Sequence, residues 1–322
     1  MSFNSYFLTH FSSFTPTLIT HHYNSSLLMR SSLIKLHIAV FLWGFTGVLG
    51  RLIHLNEGLL VWYRLLITII TLFILLWKRG ELELLPAQII FKLFGIGAII
   101  ALHWVCFYGS IKASNVSICL TCLSSAGLFT ALLEPLLYRR APQIQEILLS
   151  LLGIAGICLI FHFDTRYQKG IIIALIATLL SVIFSIFNKQ LLTNLQPTIK
   201  SKTLMLYELV GGFIVLSAFM PIYLHYFPTT YLFPAINDWV WLLLMSWLCT
   251  VLAMDLSLQA LKHMSAFTQN LTLNLEPVYG IILAFVVYKE NNELGISFYF
   301  GFGLIVLSVI LQMARVIHYK KM

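Results

Sequence analysis

Long apolar runs separated by short polar breaks fill almost the whole chain. A membrane-spanning helix needs about 20 mainly apolar residues, and the pattern predicts ten, at roughly 33–53, 58–77, 91–111, 116–138, 144–163, 170–192, 203–224, 237–261, 266–288 and 294–314. No polar stretch between them is long enough to fold as a separate extramembrane domain. The expected fold is an all-α polytopic membrane protein of ten transmembrane helices.

The spans divide into two sets. Lys112 recurs as Lys262, Tyr138 as Tyr288 and Gly153 as Gly303, each about 150 residues later, and Tyr63-Arg64 recurs as Tyr207-Glu208 and Gly50-Arg51 as Asn188-Lys189 at slightly smaller offsets. Each set has five crossings, an odd number, so the second set must enter the bilayer from the opposite face. Residues 33–163 and 170–314 are therefore expected to be two inverted five-helix repeats, a plan on which many secondary transporters are built.

Composition supports a membrane protein. The chain is 59% hydrophobic and only 10% charged, against about 25% charged in soluble domains. Its formal net charge of +8 does not point to nucleic acid, because the basic residues are spread over loops instead of forming one face. They report sidedness. The N-terminal flank and the even loops carry Arg30, Lys35, Lys78, Arg79, Arg139, Arg140, Lys200, Lys202 and Lys262, whereas the odd loops hold mainly Lys112, Arg166, Lys169 and Lys289. Both termini are expected to be cytoplasmic, with 315–322 as a basic tail. Residues 1–32, rich in Ser, Thr, Phe and His, are expected to be a disordered extension without the features of a cleaved signal peptide. A start at Met29 would place Arg30 and Lys35 directly before the first span.

The cysteines, Cys106, Cys119, Cys122, Cys158 and Cys249, all lie in apolar spans and read as small packing residues. Cys119 and Cys122 with His103 and Cys106 offer a weaker reading as a soft-metal site, but CxxC without a loop to fold around an ion is a poor signal. No metal or cofactor is expected.

Ionisable groups inside a bilayer are costly, and they usually face a cavity or one another. Arg64, His103, Glu134, Glu208, Asp255 and Glu276 stand out. Arg64 falls in the outer half of span two and Glu208 in the inner half of span seven, which argues against a salt bridge between them. Glu134, Glu208 and Asp255 have Arg139, Lys189 and Lys262 at similar depth, so ion pairs that hold a cytoplasmic gate are expected there. Arg64 has no acid at its own depth within a span; it either snorkels to water or attracts an anionic group of a substrate.

Glu276 lies near the middle of span nine, where snorkelling cannot reach water, and Pro277 beside it should kink or loosen the helix. Gln269, Thr272 and Glu276 share a helical face with Tyr279 one turn on. A carboxyl there suits proton exchange; a neutral Glu bonded to its neighbours accounts for it equally well. Trp43, His103 and Asn188 are further cavity candidates, which gives an expected lining of Trp43, Arg64, His103, Asn188, Gln269, Glu276 and Tyr279. Glycines in span one (Gly44, Gly47, Gly50) and in spans five and ten (Gly153, Gly156, Gly301, Gly303) are expected to allow close helix packing.

The chain contains no G-x-x-x-x-G-K-[ST] loop, HExxH, GxSxG or paired acid box, so an ATPase or intramembrane enzyme is not expected. No catalytic residue is assigned. Trp43-Gly44, Tyr63-Arg64, Ala260-Leu261-Lys262 and Leu275-Glu276-Pro277-Val278, set in ten spans and two repeats over about 33–314, resemble the EamA family of the drug/metabolite transporter superfamily. The resemblance implies an inner (plasma) membrane secondary carrier that exports amino acids, related metabolites or toxic amphiphiles by alternating access through a central cavity; its partners are expected to be a small-molecule substrate and the lipid bilayer, with monomer and homodimer both open. Multidrug or lipid-like amphiphile export is the alternative, followed by a multispanning membrane enzyme or sensor. The first repeat departs from the second at the position of Glu276-Pro277, where it has Ala126-Gly127.

Overall fold

The structure, a computed structural model, describes residues 15–137, 144–163, 165–195, 201–261, 272–273 and 275–319, with most side chains from Ser31 onward. The described backbone is helical apart from short turns. Helix α1 spans Thr15–Leu52, α2 Glu57–Lys78, α3 Ala87–Ala113, α4 Val116–Leu123, α5 Ala126–Leu137, α6 Ile144–Phe163, α7 Gln168–Leu195 and α8 Ser201–Tyr226. They are followed by α9 (Ile236–Ser246), a π turn (Trp247–Leu252), α10 (Ala253–Leu261), α11 (Glu276–Tyr288) and α12 (Ile296–Tyr319). Helical backbone reaches back to Thr15, which the polar composition of residues 1–32 does not predict.

Seven segments are long and apolar enough to cross a membrane, and three shorter apolar helices, Ile147–His162, Glu276–Tyr288 and Ile296–Leu311, complete the expected spans. Span four is α4 followed by α5, and span eight is α9, the π turn and α10. Large side chains such as Phe91, Leu136, Val286 and Phe300 are mostly exposed on the outside of the bundle. In water such a surface would aggregate; against lipid it costs nothing.

The two-repeat plan is visible in which helices touch. Span one (α1) packs on spans eight and nine (α10, α11), and its repeat mate, span six (α7), packs on spans three and four (α3, α4, α5). Spans five and ten, α6 and α12, pack on each other. Exchanging the two halves thus maps these contacts onto themselves. In lipid no hydrophobic effect draws helices together, so close backbone approach has to hold these seams. A Cβ added at Gly156 would stand 2.5 Å from the Gly301 carbonyl oxygen, and one at Gly301 the same distance from that of Gly156. Gly44 likewise faces the backbone of Gly280, at 3.1 Å for an added Cβ. Gly303 faces open space and takes no part in the seam expected of it.

Local breaks have identifiable causes. Asn56 caps α2 by accepting from the Leu59 amide at 2.8 Å, and Asn115 caps α4 by accepting from the Ile118 amide at 2.8 Å. At the join of α4 and α5, Ser124 and Ser125 turn their hydroxyls onto the carbonyls of Thr121 and Cys122, at 2.6 and 2.5 Å. Span nine behaves as Pro277 predicts, and more sharply: α11 begins at Glu276, with the proline in its first turn. Glu276 is therefore not in mid-helix but at a helix N-terminus, where the dipole favours a negative charge.

Candidate functional site

Arg64 is the hub of the bundle. Its side chain is 4% exposed and reaches from α2 towards α3 and the π turn. The guanidinium donates to Thr250 Oγ1 through Nε at 3.2 Å and Nη2 at 2.9 Å, and to the Tyr108 hydroxyl through Nη1. It also lies over the Trp104 ring, 3.9 Å from the centroid. Tyr108 and Trp104 come from the first repeat and Thr250 from the second, so one cation ties the halves together. The π turn makes this possible. Its extra residue per turn lets Thr250 bond back to the Met245 carbonyl at 3.0 Å while its oxygen accepts from Arg64. The Arg64 carbonyl in turn accepts from Thr68 at 2.8 Å and Ser246 at 3.3 Å.

No described carboxylate pairs directly with Arg64. Glu276 and His103 lie within reach of its charge, but neither is hydrogen-bonded to it. Instead, the His103 Nδ1 bonds the Ala177 carbonyl of α7 at 2.8 Å, and its ring packs beside Phe107 and Phe184. Among the described residues the central charge is thus held by hydroxyls and π faces alone. The structure leaves His103 and Glu276 within electrostatic reach of Arg64 without bonding it, and puts other expected lining residues elsewhere. Trp43 and Tyr279 belong to the α1 and α11 seam with Leu36, Val40 and Ala260, where Tyr279 stacks edge-on to Phe41, 5.7 Å away. Asn188 shares a hydrogen bond with Glu208, nearer the end of the bundle where α8 begins. Gln269 lies outside the described residues.

The proposed ion pairs also sort themselves. Arg64 and Glu208 do not pair, in keeping with their opposite depths. Asp255 pairs with Lys202 at 2.6 Å and accepts from Gln259 at 3.2 Å; the sequence had offered Lys262, which lies outside the described residues, as does the side chain of Glu134. Lys202 and Asp255 flank a cleft of about 220 Å³ between α2, α8 and the π turn, with Arg79 and Glu81 at its rim and Leu75, Trp247 and Leu252 on its walls.

The opposite end, at loops 53–56, 114–115 and 289–295, carries a polar network that sequence reading missed. Glu290 is fully buried, pairs with Arg51, and accepts from the amides of Val116 and Ser117 at 3.0 and 2.8 Å. Nearby, Asp238 accepts from the His54 amide at 3.1 Å, Glu57 accepts from Tyr223 at 2.8 Å, and Lys112 donates to the Leu55 carbonyl. A loop acid reads in sequence as solvated, so nothing local marked Glu290. Thr250 and Tyr108 were equally invisible, because a π turn and a partner from the other repeat define their roles.

Comparison with known proteins fits this architecture. One solved crystal structure superposes with a TM-score of 0.56 over 87% of this chain and 95% of its own, at 14% sequence identity, which shows a shared fold. No curated protein matches. The profile of the EamA-like transporter family matches twice, at residues 30–162 and 168–314, one match for each set of five spans. The chain therefore belongs to the EamA-like transporter family, as a multi-pass secondary transporter of small molecules and not an enzyme.

Proposed function

We propose that the protein exports amino acids or related small metabolites from the cytoplasm, with both termini on the cytoplasmic side, by rocking its two repeats about a site between Arg64 and Glu276. The observation that carries this reading is Arg64: a buried guanidinium shared by both repeats, with no directly bonded carboxylate among the described residues. Such a cation is stabilised by any solute that brings an anionic group, and the solute's release is coupled to separation of the groups that hold it. In this proposal His103 and Gln269 belong to the surrounding wall, Trp43 and Tyr279 support it from the α1 and α11 seam, Asn188 acts with Glu208 nearer the end where α8 begins, and Glu276 is the group that exchanges a proton. Glu134, Glu208, Asp255 and Lys262 serve the cytoplasmic gate.

The test is an untargeted comparison of metabolites inside and outside cells with and without the protein. Export is supported by a solute that accumulates in its absence and leaves when it is restored, but not when Arg64→Lys is supplied. A solute exported equally well by Arg64→Lys would count against the site. The cleft beside Lys202 and Asp255 favours a second reading, export of amphiphiles, since its lining combines apolar side chains with charged groups. Efflux of hydrophobic cations with no metabolite difference would select that reading.

A further inference from the structure

We infer that Glu290 is the gating residue at its end of the bundle: its bonds to Arg51 and to the N-terminus of α4 must break for the transporter to open on that side. The inference rests on the alternating-access reading above and says where one of its two gates lies. Glu290 belongs to the second repeat, whereas Arg51 ends α1 and Val116 and Ser117 begin α4, both in the first. Any rocking of one repeat against the other that opens this end must separate these groups.

The network has the features of a closed latch, and each comes from a different observation. The carboxylate is 0% exposed but its partner Arg51 is 32% exposed, so the charge lies just beneath the water-accessible surface. One oxygen takes Arg51 and the Val116 amide, and the other takes the Ser117 amide and, at 2.5 Å, the Ser117 hydroxyl. Arg51 is fixed from its other side by the Tyr288 ring, 4.4 Å to the centroid, and the Tyr288 hydroxyl donates to the Val48 carbonyl at 2.7 Å. Lys289 adopts φ 55°, the left-handed region, and is the one non-glycine residue with positive φ among those described. That turn is the left-handed cap that ends α11, its amide bonded to the Phe285 carbonyl at 3.1 Å, and it brings Glu290 back beneath α4.

Closure also leaves a cost that opening relieves. Asn115 is 1% exposed and its Nδ2 finds no hydrogen-bond partner among the described residues, although its Oδ1 caps α4. Water entering from this side would satisfy it. The latch is one-sided by sequence as well. In the repeat alignment that pairs Tyr288 with Tyr138 and Gly50-Arg51 with Asn188-Lys189, the counterparts of Glu290 and Arg51 are Arg140 and Lys189. Two cations cannot make the same bond at the other end.

Cys119, one turn along α4 from Val116 and 1% exposed, is a built-in reporter. In full-length protein in proteoliposomes, with Cys119 as the single cysteine, a membrane-impermeant maleimide is added on the Glu290 side. Glu290→Gln should speed its labelling roughly 100-fold, as expected when a buried ion pair is broken, and Glu290→Asp should recover part of the protection. The exchange Arg51→Glu with Glu290→Arg should not restore it, because α4 amides also face residue 290. In a second variant whose single cysteine is Thr203→Cys, buried at the opposite end, Glu290→Gln should slow labelling from that side, since opening one end closes the other. Unchanged Cys119 labelling, or faster labelling at both ends, overturns the proposal in favour of a static strut or general loosening. Both rates are read without any solute, so they decide on Glu290 separately from the metabolite comparison that decides on export.

Discussion

Two glycines on one helix give a test of the packing that needs no substrate. Gly97 of α3 meets α8 so closely that an added Cβ would overlap the Glu208 carbonyl oxygen and stand 2.8 Å from the Gly212 nitrogen, whereas a Cβ at Gly95 meets nothing within 4 Å. Alanine at either position gains about 1 kcal/mol of helix propensity over glycine. At Gly95 that gain is the whole effect. At Gly97 the obstructing atoms are backbone and cannot rotate away, so α3 and α8 must part by roughly 1 Å, which forfeits up to about half of the dispersion energy of each contact along the seam. Overpacking costs about 1–3 kcal/mol, and with two backbone obstructions the upper end applies, leaving Gly97→Ala about 2 kcal/mol less stable. The two variants should thus move in opposite directions, by a few degrees in apparent Tm at a common scan rate in detergent. Trp104 lies two turns along from Gly97, so the shift should also loosen its stack on Arg64 and redden tryptophan emission. Equal Tm shifts for Gly95→Ala and Gly97→Ala would refute the close α3 and α8 contact.

Arg64→Ala should abolish solute export yet alter stability by no more than about 2 kcal/mol, because removing a buried charge recovers its desolvation cost, and Thr250 and Tyr108 keep bonds to Met245. Loss of folded protein in size-exclusion profiles would show instead that Arg64 is a structural strut. Transport of the identified solute by reconstituted protein should respond to an imposed pH gradient and lose that response in Glu276→Gln; a retained response would exclude Glu276 as the proton site. Lys202 and Asp255 are each 28% exposed, so a double-mutant cycle should give a coupling of only about 1 kcal/mol that shrinks in high salt. A coupling several times larger, insensitive to salt, would mean the cleft is closed to water.

The route from sequence to site was legible where a residue's role depends on its own segment. Pro277 announced a break beside Glu276, and it is where α11 starts. The opposite depths of Arg64 and Glu208 followed from counting crossings, and the two make separate contacts. Partners were not legible. Asp255 had several bases at its depth, and the choice of Lys202 depends on how α8 and α10 are rotated towards each other. Tyr279 and Glu276 share a helical face in sequence, yet Tyr279 meets Phe41 on the α1 seam, since a face wide enough to hold both borders two neighbours.

By itself the sequence determined the solvent, the number of crossings and the duplication, because these follow from the cost of exposing backbone and charge to hydrocarbon, which each segment meets on its own. Only the tertiary structure decided which polar groups meet. A buried charge is placed by bonds from several helices at once: Arg64 by α3 and the π turn, Glu290 by α1 and α4. Apart from Arg64 with Tyr108, those bonds join residues more than 150 positions apart, as in Arg64 with Thr250 and Arg51 with Glu290. Their energy appears only once both repeats are packed, so no local pattern in the chain records it.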